Sequence, residues 1–297
     1  MKRLLVATDF STRSDRALRR AVLLAHQYSA EMTIVHVIDD DQPPQLLRAE
    51  EREISSLLHD LAATVREIDR VPCDGRVAFG EPFQAIAKTA ENVDADVIVM
   101  GPHRRQALRD IFIGTTADRT IRCSLRPVIM ANAVPAGHYG SILLATDLSE
   151  CSANAATKAQ ALGIFDRGGV IVVHAFDAPA QTMIVRSSMT ANEERAYLAE
   201  EENRAAHGVA EFLTRVGLRP SRSIVQLSEG SAPHAIKDCI RQQRADLVVI
   251  GTRGRSAAAK FFLGSVAGEL LGDSDIDVLV VPPPNEWAES TQASKSS

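Results

Sequence analysis

The chain has 297 residues, of which 45% are hydrophobic, 24% charged and 4% aromatic, and its net charge is -5. The length suits two ordinary domains and the composition a soluble globular protein. The acidic balance and few aromatics argue against nucleic-acid binding, and no apolar run approaches the roughly 20 residues that cross a bilayer.

The N-terminus, MKRLLVATDFSTRSD, has too short an apolar stretch for a signal peptide and reads as a strand with its exit loop. Cys73, Cys123, Cys151 and Cys239 form no CxxC and no metal-ligand spacing. Together these predict a cytoplasmic protein with four reduced thiols and no metal site.

After the first strand, LLVAT, the spacing of Ala17, Val22, Leu24 and Ala25 predicts a helix following Ser14. The strands MTIVHVI, GRVAF, DVIVM and PVIMA follow, separated by helical segments. A Pro/Gly-rich linker, NAVPAGHYG at 132–140, then marks a boundary. Beyond it the pattern starts again with ILLAT, VIVVHAF, SIVQL, LVVIG and VLVV. The strands are apolar almost throughout, which indicates burial on both faces. Strands alternating with helices predict an α/β fold with a doubly wound parallel sheet in each half. The predicted domains are 1–133 and 139–283, with a disordered tail at 284–297 (NEWAESTQASKSS after Pro284).

The repeat is direct. Asp9 in ATDF maps to Asp147 in ATDL at an offset of 138, and His36 maps to His174 at the same offset. ADVIVMG, ending at Gly101, maps to ADLVVIG, ending at Gly251, at an offset of 150. The 12-residue difference is expected to lie in the long middle segment of the second copy.

In open α/β sheets, ligands bind outside the carboxyl ends of the strands. Asp9 and Asp147 follow the first strand of each copy, and glycine loops follow the fourth. If those strands are neighbours, acid and loop face one crevice. In GTRGRSAAAKFFLGS, Gly251 and Gly254 are expected to give positive φ and close backbone approach. Gly264 and Ser265 open a helical segment, whose free amides and Ser hydroxyl suit a phosphate, with Arg253, Arg255 and Lys260 adding charge. The loop is neither a Walker sequence nor GxGxxG. A purely structural reading is also available: Asp147 fixing the turn and Ser149 capping the next helix. His36 and His174, repeated with the strand frame, read as structural, and His103, His207 and His234 as surface residues. No nucleophile, base and orienter triad is visible.

The frame G-x2-G-x9-G-[ST] after strand four, an Asp ending strand one, and a strand ending in [VL]H[VA] resemble the universal stress protein (UspA-type) family. The resemblance covers nearly the whole chain, twice. It implies two Rossmann-like domains, each with a five-stranded parallel sheet in the order 3-2-1-4-5. It implies ATP, with or without Mg, as the ligand. By position, adenine would lie near Ala145, Thr146, Asp147 and Ala175, and ribose and phosphates near Gly251, Gly254, Gly264, Ser265 and Val266. A weaker site in the first domain would use Asp9, Val37, Gly101, Gly114 and Thr115, but Arg104 stands there where Gly254 stands in the second. The resemblance also implies pairing of the halves through PVIMA and VLVV, as a pseudo-dimer within the chain that could itself dimerise. The function implied is an ATP-binding stress-response module acting through conformation or partner binding. A slow ATP hydrolase and an interaction scaffold without nucleotide are the alternatives.

Overall fold

Successive residues of a strand face opposite sides of its sheet, and in this chain both sides are apolar. The computed structural model describes residues 1–102, 115–178, 190–228, 230–252, 254 and 263–284. Gly114, His103 to Arg105, Arg253, Arg255, Lys260 and the tail from 285 lie outside the described residues. The first half runs β1 (Arg3–Ala7), α1 (Thr12–Tyr28), β2 (Glu31–Ile38), α2 (Pro44–Glu67), β3 (Cys73–Phe79), α3 (Pro82–Asn92), β4 (Val97–Met100), α4 (Thr116–Cys123) and β5 (Val128–Met130). The second runs β6 (Ser141–Ala145), α5 (Glu150–Ala161), β7 (Gly169–Phe176), α6 (Ala191–Val216), β8 (Arg222–Leu227), α7 (Ala232–Gln243), β9 (Leu247–Gly251), α8 (Ser265–Asp273) and β10 (Asp277–Val281).

All ten strands form one sheet, in the order β3-β2-β1-β4-β5-β10-β9-β6-β7-β8. Each half is parallel and has the expected 3-2-1-4-5 order. The expected junction forms too: β5 and β10 pair antiparallel, with Val278 opposite Met130 and Val280 opposite Val128. The carboxyl ends of the strands therefore emerge at opposite edges of the sheet in the two halves. Leu4 and Val6 pack on one face with α1, α2, α5 and α6. Leu5 and Ala7 pack on the other with Ala90, Ile121, Ile236 and Leu270 from the remaining helices. Both cores continue across the junction.

Two local expectations change. Helix α1 begins at Thr12, capped by Ser11, whose hydroxyl accepts from the Ser14 amide. Ser14 itself is buried one turn inside, and Val22 lies at the margin of the buried face. The 12-residue insertion is also divided. Ile38 pairs with Phe79 and Phe176 with Leu227, so β3 and β8 are offset by 148, whereas the helix caps Glu81 and Ser231 are offset by 150. Ten extra residues precede β8 and two follow it.

The linker carries a buried ionic cluster that the sequence reading did not anticipate. Arg20 of α1 donates from Nε to Asp277 Oδ2 at 2.7 Å, and both side chains are at most 5% exposed. Tyr139 Oη donates to the same oxygen at 2.7 Å, and the Ala133 amide donates to Oδ1 at 2.9 Å. Arg20 also donates to the Gly137 carbonyl and lies 4.3 Å from the centre of the Tyr139 ring. Burial pushes the Asp277 carboxyl above its ordinary value, against the pull of Arg20 and the Tyr139 and Ala133 donors. One cation thus joins a first-half helix, the linker and a second-half strand.

Candidate functional site

Strand β1 lies between β2 and β4, and β6 between β7 and β9. The acid after the first strand and the glycine loop after the fourth therefore share one edge, as a doubly wound sheet requires. In the second half the two meet: a Cβ built on Gly254 would sit 2.8 Å from Asp147 Oδ2. This corrects the reason for glycine in the loop. Neither Gly251 nor Gly254 has positive φ. Gly254 is needed because a side chain would strike the carboxylate. At Gly251 a Cβ would lie 3.1 Å from the Cys151 carbonyl, and at Gly101 it would lie 2.4 Å from the equivalent Arg13 carbonyl. These glycines let a helix pack against the strand end, so they serve the fold in both halves.

Asp147 is held by its own turn. Its Oδ1 accepts from the Ser149 amide at 3.2 Å, the Ser149 hydroxyl at 2.6 Å and the Ser152 hydroxyl. Ser149 also caps α5, so the structural role is real, and Oδ2 lies on the Gly254 side. The next residue, Leu148, has φ of 67°, and its first-half counterpart Phe10 has 56°. A non-glycine residue in this region is strained by about 1 kcal/mol or more. In both halves a Thr hydroxyl takes its amide, Thr146 for Leu148 at 2.9 Å and Thr8 for Phe10 at 3.0 Å.

A small, partly open cleft of about 120 Å³ lies at this edge. All nine residues expected in the second half line it: Ala145, Thr146, Asp147, Ala175, Gly251, Gly254, Gly264, Ser265 and Val266. Ser152, Ala232, Ile236, Ile250 and Ala267 complete it. Ser152 was visible in the repeat, because D-x-S-x-x-S occurs at Asp9 and again at Asp147. The α7 residues Ala232 and Ile236 carry no polar signal, and only the fold brings them in. At the lip, Gly264 is the N-cap of α8 and makes no side-chain cap bond, and the first amides of a helix lack partners within it.

In the first half, Asp9 follows β1, Gly101 follows β4, Val37 lies on β2, and Thr115 caps α4 by accepting from the Asp118 amide at 3.1 Å. Burial raises the Asp9 carboxyl, but hydrogen bonds from Ser11 and Ser14 and the charge of Arg13 outweigh it and hold it below its ordinary value. Arg13 lies 3.7 Å from Asp9, whereas Cys151 occupies that position in the second half. The Phe10 ring stacks on His36, with centroids 4.9 Å apart.

His36 and His174 bond through Nδ1 to the carbonyls of Thr8 and Thr146, each at 2.8 Å. Both brace the strand-one turn, in keeping with a structural role. His207 and His234 are exposed. Burial pushes the Cys73 thiol up to about 12 and raises Cys123 and Cys239 as well, which disfavours nucleophilic thiolates. Among the described residues no cluster could hold a metal ion, and no helix is long and apolar enough to cross a membrane.

Comparison with known proteins gives a consistent result. The sequence pattern of the universal stress protein family matches residues 1–132 and again 138–282. Universal stress protein E of Escherichia coli K12 is 22% identical over 300 residues, covering 94% of this chain and 93% of its own. A universal stress protein of Mycobacterium bovis is 25% identical over 300 residues, covering 93% and 95%. Among solved structures, a functionally unknown protein from Pseudomonas aeruginosa PAO1 superposes with a TM-score of 0.70 at 18% identity, covering 100% of this chain and 98% of that one. A universal stress protein from Archaeoglobus fulgidus gives 0.66 at 18% identity, covering 95% and 98%.

Proposed function

The chain belongs to the universal stress protein family, with two copies of the family's domain, and from that premise we propose that it is a cytoplasmic stress-response module whose second half binds ATP. The observation that carries this reading is the meeting of Asp147 with Gly254 in a cleft that ends at the start of α8. Ala145, Ala175, Ile236 and Ile250 offer an apolar bed for a base. Asp147 Oδ2 can accept from ribose hydroxyls. The α8 amides and the Ser265 hydroxyl can donate to phosphate, and the helix dipole favours the anion. Magnesium, where present, would be held mainly by the phosphates. The nucleotide would act by shifting conformation or recruiting a partner.

Isothermal titration tests this. The intact protein should bind ATP with one strong site per chain. Gly254→Val should abolish that site, because the new side chain displaces a carboxylate tied by three donors. ATP at 100 times its Kd should also stabilise the fold by about 2.7 kcal/mol. Absence of both binding and stabilisation would sink the proposal and favour the scaffold alternative.

A further inference from the structure

Two helices wall the phosphate end of the cleft: α7 with Ala232 and Ile236, and α8 with Ser265, Val266 and Ala267. One cation joins them. Lys237, next to the lining Ile236, donates from Nζ to Glu269 Oε1 and to Asp273 Oδ2, each at 2.9 Å. Its side chain is only 17% exposed. Two carboxylates on α8 lower the local potential and oppose an anion at the head of the same helix. Asp273 also stands at the C-terminal end, where the helix dipole disfavours negative charge. Lys237 neutralises both while fixing α8 against α7.

The first half is built differently. The positions equivalent to Lys237, Glu269 and Asp273 are Ala87, Arg119 and Cys123. There the cation lies on the second helix: Arg119 packs 3.7 Å from the centre of the Phe83 ring and pairs with Glu81 at 3.2 Å. The double ion pair therefore accompanies the complete glycine loop and the lined cleft.

We propose that Lys237 is a positioning residue for the phosphate end of this site, setting the discrimination between phosphorylated nucleotide and bare nucleoside; this rests on the nucleotide reading above. Lys237 does not line the cleft. It acts through α8, by fixing the direction of its amides and cancelling the charge of Glu269 and Asp273. A nucleoside carries no phosphate for these amides and should be far less sensitive to it.

The test titrates ATP and adenosine separately into the full chain, as wild type, Lys237→Met and Lys237→Arg, with folding checked by circular dichroism. Lys237→Met should weaken ATP by roughly two- to fivefold, the size expected for losing ion pairs to half-exposed carboxylates. It should leave adenosine within about twofold, and Lys237→Arg should recover most of the ATP affinity. Lys237→Gln, which keeps a donor and loses the charge, should show the same split if the Met variant does not fold. Equal ATP affinity in wild type and variant, or parallel loss of ATP and adenosine, overturns the proposal. A wild type that binds neither ligand overturns the nucleotide reading itself and this inference with it.

Discussion

At the scale of single residues, the glycine frame divides into two kinds of position. Gly101 and Gly251 accept the backbone of the first helix in each half, whereas Gly254 accepts a carboxylate within the cleft. Gly101→Ala should therefore destabilise without any ligand, by about 2–3 kcal/mol, because its Cβ would sit at 2.4 Å from a carbonyl that the helix holds in place. Gly251→Ala should cost about 1 kcal/mol or less, since at 3.1 Å a shift of a few tenths of an ångström suffices. Urea denaturation of the two variants measures this, and equal costs would show that the loops pack alike. The spacing of these glycines was legible in the sequence, but their reasons were not. Positive φ is the usual warrant for glycine, yet here close approach is what excludes a side chain. Approach distances depend on which strands are neighbours, and periodicity does not report that.

At the scale of elements, α1 does more than cover its own sheet. Its last residue, Tyr28, donates its hydroxyl to the Gly163 carbonyl beyond α5 at 2.8 Å, and Met1 donates to the Leu162 carbonyl beside it. Burial pushes the Tyr28 phenol up to about 12, with the charge of Asp166 adding to the rise. The folded state thus holds this proton more tightly than the unfolded chain, whose tyrosine ionises near pH 10. The resulting stability is fully present below pH 10 and is lost as pH rises toward 12. Tyr28→Phe loses the bond to Gly163 and should be less stable than wild type at neutral pH, and the gap should narrow through that window. Denaturation midpoints at pH 8 to 11.5 check this, and a gap that stays constant would refute it. The strands and helices themselves were readable because apolar runs and turn residues encode them locally. The contacts that join α1 to the other half were not, because Arg20 and Tyr28 look like ordinary polar residues of a helix until the second half is in place.

At the scale of the whole molecule, the repeat predicts two domains, and the packing joins the two halves through one sheet. The ten-stranded sheet runs through the β5–β10 junction, and each core cluster contains residues of both halves. The junction is also one-sided. Under the repeat's offsets, Arg20 corresponds to Lys158 and Asp277 to Pro127, so the buried ion pair forms once and fixes which half occupies which side. A charge buried without its partner costs about 3–5 kcal/mol, whereas a matched neutral replacement costs much less. Wild type should accordingly unfold in a single transition, with calorimetric and van't Hoff enthalpies in agreement. Arg20→Met should lower its stability by about 3 kcal/mol, the low end of that range because Tyr139 and Ala133 still donate to Asp277. Adding Asp277→Asn should then recover at least about 1 kcal/mol, since the neutral amide no longer needs a counter-charge. Two resolved transitions in wild type would mean that the halves fold separately and merely abut. Additive losses in the double variant would mean that the pair is not coupled, and the asymmetry of the junction would then reside in the linker's backbone alone.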